Sequence, residues 1–219
     1  MVAEPTPEER PKPRPPQHDD LQQLADAMRR LVELTATLDA APDGLQEEVD
    51  RLVQIADRLE PYAPGGPFRI SSRSDLERHW DRNPLVGRLN PLAPPVRIEY
   101  RDGACFGYAN LGPQYEGPPG YAHGGVVASV FDQLLGLANV VAGNPGMTGT
   151  LTIKYRSPTP LRTDLEFECR NVRVDGRKSF TVGTCTANGV VTAEAEGVFI
   201  AIGAAKADEY FNEAAGSSA

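Results

Sequence analysis

Hydrophobic residues follow a helical spacing in the first third of the chain. Over residues 19–41, and again from Leu45 to Leu59, apolar side chains recur every three or four positions, which predicts two amphipathic helices. Asp19 or Asp20 can cap the start of the first helix. A Pro-Asp-Gly turn separates the two runs, so we predict a helical hairpin over residues 19–61 that docks on the main domain or on a partner subunit.

The spacing changes to strand-like alternation of apolar and polar residues from about residue 94. The predicted strands are Val96 to Tyr100, Cys105 to Leu111, Met147 to Arg156, Leu165 to Val174, Ser179 to Ala187 and Val190 to Ile202. Asp-Gly and Asn-Gly pairs separate the last three strands. Both pairs suit tight turns with positive φ, so these strands should form an antiparallel meander.

One segment, residues 126–141, interrupts the strands and is apolar almost all round, which is typical of a fully buried helix. One long buried helix with five or six antiparallel strands is an α+β layout, in which a sheet wraps around the helix. We predict this domain at residues 84–203. It is flanked by a linker with a short helix at 62–83, a C-terminal tail at 204–219 and, before the hairpin, a disordered proline-rich tail at 1–18.

The composition argues against several classes of protein. Among 219 residues the formal net charge is −8, whereas general binding to nucleic acid requires a basic excess. We find no secretory h-region and no apolar run of the roughly 18 residues that a membrane helix needs, so we expect a cytoplasmic protein without a membrane span. Three cysteines without a CxxC pair, and the lack of zinc, Walker A and dinucleotide motifs, predict buried thiols, no metal and no cofactor.

Asp132 is the unusual residue of the apolar helix, because it lies among Val, Phe, Leu and Ala side chains. Burying an unpaired carboxylate costs several kcal/mol, so proteins seldom do it without a purpose. One interpretation is a general base. The other is a structural carboxylate held by a backbone group or an arginine at a subunit contact. The residue types alone leave both open.

His123, Gly124 and Gly125 precede this helix. A helix N-terminus offers free N–H groups and the positive end of the helix dipole, and two glycines let a ligand approach the backbone, which suits an oxyanion hole. The alternative is a glycine-rich turn capped by His123. His123 and Asp132 are nine residues apart, about 13 Å and half a turn on an ideal helix, so they should face opposite sides. If both act on one carbonyl, a second copy of the chain must supply one of them across a two-fold dimer interface.

Several motifs occur together in order over residues 84–203 and resemble the hotdog-fold acyl-CoA thioesterases, in particular the PaaI-like and thioesterase-superfamily-member branch. They are Glu116-Gly117-Pro118-Pro119-Gly120-Tyr121-Ala122-His123-Gly124-Gly125, then Asp132, then Thr148-Gly149-Thr150-Leu151-Thr152-Ile153-Lys154-Tyr155-Arg156-Ser157-Pro158-Thr159-Pro160-Leu161, and then Asp175-Gly176-Arg177-Lys178. The N-terminal hairpin is not part of the minimal hotdog domain.

The resemblance implies a dimer or a dimer of dimers and an active site between subunits. The N–H groups of Gly124 and Gly125 would polarise the thioester carbonyl, and His123 would orient the substrate or the loop. Asp132 of the facing subunit would activate water or attack directly, and Thr148 would position that water. The expected reaction is hydrolysis of a fatty acyl-CoA, of medium to long chain, to the free acid and CoA.

CoA carries several phosphate charges, so an acidic protein needs a local basic patch to bind it. The resemblance places CoA contacts at Lys154, Arg156, Arg177 and Lys178, although the same residues also fit ordinary solvated strand ends. Two alternatives to the fatty acyl-CoA thioesterase stay open. They are a thioesterase for aromatic acyl-CoA and a non-catalytic acyl-CoA-binding or assembly protein.

Overall fold

The computed structural model describes residues 18–63 and 79–202. Six strands form one antiparallel sheet, and they lie within two residues of the predicted ones. They are β1 (Val96–Arg101), β2 (Ala104–Asn110), β3 (Met147–Tyr155), β4 (Asp164–Asp175), β5 (Lys178–Ala187) and β6 (Val190–Ile200). Their order across the sheet is β1-β2-β4-β5-β6-β3, so β1 and β3 are the edges.

The predicted meander of the last three strands is confirmed. Asp175 pairs with Lys178 at the turn between β4 and β5, and Ala187 pairs with Val190 at the turn between β5 and β6. Asn188 has a φ of 51° in the second turn, a conformation that asparagine tolerates better than most residues. Strand β3 precedes β4 in the chain but pairs with β6, which places β3 at the far edge of the sheet.

A long helix, α3 (Gly124–Val141), packs on this sheet, as predicted. Its buried residues are Val127, Val130, Phe131, Leu134, Leu135, Leu137, Ala138 and Asn139. Phe131 meets Phe167 of β4 edge to face, with ring centroids 5.1 Å apart. Gly107 of β2 allows a close approach, because a Cβ there would lie 2.5 Å from a methyl group of Leu134.

The expectation that this helix is fully buried is wrong for the single chain. The sheet covers one side of α3, whereas Val140 and Val141 are exposed and Asp132 is half-buried. Within the described ranges, α3 is also the one helix long and apolar enough to cross a membrane by length and composition. The core helix of a soluble protein passes the same test, and here the buried face of α3 packs on the sheet.

Two further helices, α1 (His18–Thr37) and α2 (Leu45–Leu59), precede the sheet. Because α1 already begins at His18, Asp19 and Asp20 lie in its first turn and the predicted cap is wrong. Acidic side chains favour the first turn as well as the cap, so composition does not separate the two positions. The hairpin as a unit remains a prediction, since α2 has no buried residue.

Helix α1 docks on the main domain, which is one of the two alternatives predicted for the hairpin. Ala25 is buried. Arg29 donates hydrogen bonds to backbone carbonyls of the segment 80–93, which we call the cover segment. Asn83 of that segment donates in turn to Gln133 of α3 at 3.0 Å. The predicted N-terminal tail ends one residue too late, because His18 belongs to α1. The rest of the predicted tails, and most of the predicted linker at 62–83, fall outside the described residues.

Candidate active site

His123 caps α3, which is one of the two interpretations that the sequence left open. Its Nδ1 accepts a hydrogen bond from the Gly125 N–H at 3.0 Å, and its own N–H donates to the Tyr115 carbonyl at 2.8 Å. Of the two amides expected to polarise a carbonyl, the Gly125 N–H is therefore already bonded. The Gly124 N–H has no acceptor among the described residues. This N–H lies at the N-terminal end of the helix, where the helix dipole is positive, and it can donate a hydrogen bond to a ligand.

Tyr155, which sequence reasoning missed, fixes this helix start to the end of β3. Its hydroxyl donates to the Gly124 carbonyl at 2.7 Å. A Cβ on Gly124 would lie 3.1 Å from the Tyr155 ring, a tight contact that the ring would have to relieve by moving a few tenths of an ångström. Partial burial raises the pKa of Tyr155, which keeps the hydroxyl protonated as a donor. No sequence signal distinguishes this tyrosine from any aromatic residue at a strand end.

Asp132 and Thr148 are brought together, although they are 16 residues apart. The Thr148 hydroxyl donates to Asp132 Oδ1 at 2.8 Å. This contact joins the middle of α3 to the start of β3, just before a register shift between Thr148 and Thr150. The second carboxylate oxygen of Asp132 accepts no hydrogen bond from the part of the chain that the structure describes. It is therefore available to water or substrate.

The helix start and the Asp132–Thr148 pair do not form one site within a chain. Because α3 begins at Gly124, directly after His123, the assumption behind the spacing argument is confirmed. Eight residues separate Gly124 from Asp132, which is about 12 Å along the helix axis. A single thioester carbonyl does not reach both groups.

Two of the predicted CoA-binding residues are engaged in ion pairs across the sheet. Lys154 Nζ lies 2.8 Å from Glu196 Oε1, and Arg156 Nη2 lies 2.6 Å from Glu194 Oε2. The hydrogen bond and charge of Glu194 raise the pKa of Arg156, and Arg156 lowers the pKa of Glu194 in return. A phosphate would have to displace these carboxylates.

The other two predicted CoA-binding residues, Arg177 and Lys178, lie at the opposite end of the sheet. Lys178 pairs with Ile200, which also pairs with Met147, the neighbour of Thr148. In the described ranges, neither side chain has an ion-pair partner. The four basic residues therefore divide into a pair at the Tyr155 end of β3 and a pair near the Met147 end of the sheet.

Known proteins with this arrangement identify the family. A family model described as "Thioesterase superfamily" matches residues 119–187. A crystal structure of a thioesterase superfamily protein is 35% identical with a TM-score of 0.75, over 85% of this chain and 93% of that chain. The chain belongs to the thioesterase superfamily. This confirms the resemblance and the hotdog fold.

Named relatives within the thioesterase superfamily are acyl-CoA thioesterases. Acyl-coenzyme A thioesterase THEM4 of Xenopus laevis is 39% identical over 70 residues, or 32% of each chain. The THEM4 protein of Mus musculus is 30% identical over 108 residues, which are 48% of this chain and 44% of that protein. The matches thus span less than half the length of these curated relatives. The superfamily match itself contains His123, Gly124, Gly125, Asp132 and Thr148.

Proposed function

We propose that this chain is an acyl-CoA thioesterase, which hydrolyses a fatty acyl-CoA to the free acid and CoA. The observation that carries the proposal is the hydrogen bond from Thr148 to Asp132. It holds a half-buried carboxylate at the edge of an apolar helix and leaves one carboxylate oxygen unbonded. Membership of the thioesterase superfamily supports the reaction class.

In the proposed reaction, Asp132 takes a proton from a water molecule while the water oxygen bonds to the thioester carbonyl carbon. Thr148 orients the carboxylate. The Gly124 N–H stabilises the negative charge that develops on the carbonyl oxygen. The C–S bond then breaks, and the CoA thiolate leaves and takes up a proton. Direct attack by Asp132 on the carbonyl carbon is the alternative route to the same products.

The proposed site is shared between two copies of the chain, as a homodimer or a dimer of dimers. The support is the separation of about 12 Å between Gly124 and Asp132 along one helix. In a two-fold pair with antiparallel α3 helices, Gly124 of one protomer faces Asp132 of the partner subunit. The side of α3 that the sheet leaves uncovered is available for this contact.

For the CoA phosphates we propose Arg177 and Lys178 as the first contacts, because they have no competing carboxylate within the described structure. Lys154 and Arg156 contribute by exchanging Glu196 and Glu194 for phosphate oxygens. The proposed compartment is the cytoplasm. Three free, buried cysteines support a reducing environment.

The experiment is thiol release from a panel of acyl-CoA esters, from acetyl to palmitoyl with phenylacetyl and benzoyl, using wild type and Asp132→Asn. We expect the variant to lose about 10²-fold or more in kcat, as when a positioned base is removed. Thr148→Val should lower kcat by a smaller factor than Asp132→Asn does, and Thr148→Ser should keep most of the wild-type kcat. Asp164→Asn is the matched control, because Asp164 is an exposed carboxylate bonded to Asn110.

The outcomes separate the alternatives. Equal turnover by wild type and Asp132→Asn would refute the assigned role of Asp132. A preference for phenylacetyl or benzoyl esters would favour the aromatic substrate class. If wild type releases no thiol from any ester, the alternative of a non-catalytic acyl-CoA-binding protein is favoured. Full activity of a protein that sedimentation shows to be monomeric would exclude the shared site.

A further inference from the structure

Helices α1 and α2 each carry a row of mostly apolar residues along one side. The residues recur in alternating steps of three and four, which keeps them in line along a helix and is the spacing of coiled coils and helix bundles. On α1 the row is Leu21, Leu24, Met28, Leu31 and Thr35. On α2 the row is Leu45, Val49, Leu52, Ala56 and Leu59. We call these two rows the arm seams.

The described part of the chain leaves both arm seams uncovered. Leu24, Leu31 and Leu52, for example, are between 37% and 42% exposed. Helix α1 docks on the main domain by another side, through Ala25 and Arg29, and α2 has no buried residue. A helix of 15 residues is marginally stable in water unless its apolar side packs on something. The arm seams, and that of α2 above all, therefore require a partner.

The width of the apolar surface indicates a bundle of helices. Val32 and Leu34 flank the arm seam of α1, Val53 and Ile55 flank that of α2, and all four are exposed. A seam with apolar flanks is wider than the seam of a two-stranded coiled coil and is typical of helices in a bundle. One chain supplies two such helices, so two copies of the chain supply the four helices of a four-helix bundle.

The area of this surface also fits a second copy. Ten large apolar side chains of the arm seams and their flanks are exposed. With each leaving on the order of 70 Å² in water, they approach the roughly 800 Å² that one partner contributes to a standard protein interface. Monomeric proteins seldom expose an apolar surface of this size without a partner for it.

The charges of the two helices disfavour a lipid surface as the partner. Residues 19–60 contain eleven acidic and four basic side chains, whereas helices that lie on membranes have a basic polar side. The arginines form ion pairs within their own helices, Arg29 with Asp26 and Arg51 with Glu48. A partner that meets the arm seams therefore has to be apolar itself, as a second pair of arm seams is.

We propose that the arm seams bind the arm seams of a second copy of this chain, and that the two α1 and two α2 helices form a four-helix bundle. This interaction surface is separate from the uncovered side of α3 and does not depend on the proposed catalysis. Because Arg29 ties α1 to the cover segment, the bundle also links the main domains of the two copies.

Cross-linking through an introduced cysteine tests whether the partner is a second copy. Leu52→Cys places a thiol in the arm seam, and Gln54→Cys, two residues on and about 200° around the helix, is the matched control. The three cysteines already in the chain are buried, so a short bismaleimide should react with the new thiol alone.

In dilute full-length protein we expect Leu52→Cys to give at least about tenfold more covalent dimer than Gln54→Cys, because the bundle raises the effective concentration of the paired thiols. Equal yields from the two variants, or no covalent dimer from Leu52→Cys, would overturn the proposal.

A second experiment measures what the bundle does for α2. Leu52→Glu places a charge in the arm seam, and Gln54→Glu adds the same charge on the outer side. We expect amides of α2 to exchange about tenfold or more faster in Leu52→Glu and at the wild-type rate in Gln54→Glu. Amides of β4 and β5 should not change in either variant, which shows that the main domain stays folded. Wild-type exchange of α2 in Leu52→Glu would contradict the bundle.

Failure of the bundle and failure of the proposed function give different results, because Asp132 and Thr148 lie outside α1 and α2. Thiol release by wild type without a covalent dimer of Leu52→Cys refutes the bundle alone. A covalent dimer of Leu52→Cys without thiol release by wild type supports the bundle and refutes the proposed catalysis.

Discussion

Replacing Arg29 with alanine should release α1 from the main domain while the sheet stays folded. The guanidinium donates to the carbonyls of Gly87, Arg88 and Asn90 at 3.1, 2.8 and 2.9 Å, and to that of Ala93 at 3.4 Å. Three of these carbonyls have a second donor, since Gly87 accepts from the Asn90 N–H, Asn90 from the Ala93 N–H, and Ala93 from the Tyr115 hydroxyl. Losing Arg29 therefore weakens the contact without leaving these three carbonyls unpaired.

The magnitude follows from this geometry. Hydrogen bonds to a charged group contribute about 1.5–3 kcal/mol in net terms, and the shared acceptors argue against adding four such values. We expect the free energy of detaching α1 to fall by about 2–3 kcal/mol, which corresponds to about 30- to 150-fold in the opening equilibrium. Arg162 offers the matched control. It also ties α1 to the domain, through Glu33 at 3.3 Å, but this ion pair is exposed and should contribute no more than about 0.5 kcal/mol.

Amide hydrogen exchange measured by mass spectrometry on the full chain is the suitable assay, because it resolves local opening from global unfolding. In Arg29→Ala, peptides of α1 should exchange faster by the factor above, and those of β4 and β5 should not change. Arg162→Ala should leave α1 within about twofold of wild type. Equal exchange of α1 in the two variants would refute the reasoning, and so would a matching acceleration throughout the sheet.

Three further predictions concern the core, the thiols and the helix start. Gly107→Ala should lower the free energy of unfolding in urea by about 1–3 kcal/mol, because the new Cβ would lie 2.5 Å from a leucine methyl group. Gly136→Ala is the control, and it should be neutral or stabilising because the nearest side-chain contact of its Cβ would be at 3.5 Å. Burial raises the pKa of Cys105 from 9.0 to about 12 and that of Cys185 from 9.0 to about 11. The free energy of unfolding should therefore keep its full value below pH 9.0 and fall as the pH rises towards these two values. Equal urea midpoints at about pH 8 and about pH 10 would contradict this. Tyr155→Phe should lower kcat by about tenfold with a smaller change in KM, because the variant releases the helix start that carries the proposed oxyanion donor. An unchanged kcat would show that Tyr155 does not position this donor.

Most of the sheet could be predicted because the residues that determine each strand and turn are close together in the sequence. Alternation along each strand gives the buried face, and Asp-Gly and Asn-Gly turns give the connections, so Asn188 is found in its positive-φ conformation where expected. Asp132 stood out by the same logic, as a charge within an apolar run. The pairing of β3 with β6 does not follow from local pattern and was not predicted.

The missed residues act over distances that periodicity does not encode. Tyr155 bonds a carbonyl 31 residues away, and Arg29 bonds carbonyls 58 to 64 residues away. Neither residue type is unusual where it stands in the sequence. The exposed side of α3 was missed for another reason, because an apolar composition shows that a helix avoids water without showing whether its own chain or another covers it.

The cover segment contacts α1 on one side and α3 on the other. Arg29 holds it through four carbonyls, and its Asn83 donates a hydrogen bond to Gln133 of α3. Two binding events that order the same segment are thermodynamically linked, and the linkage is reciprocal. A ligand that orders the cover segment against α3 would therefore strengthen the docking of α1 by the same factor by which docked α1 strengthens the binding of that ligand.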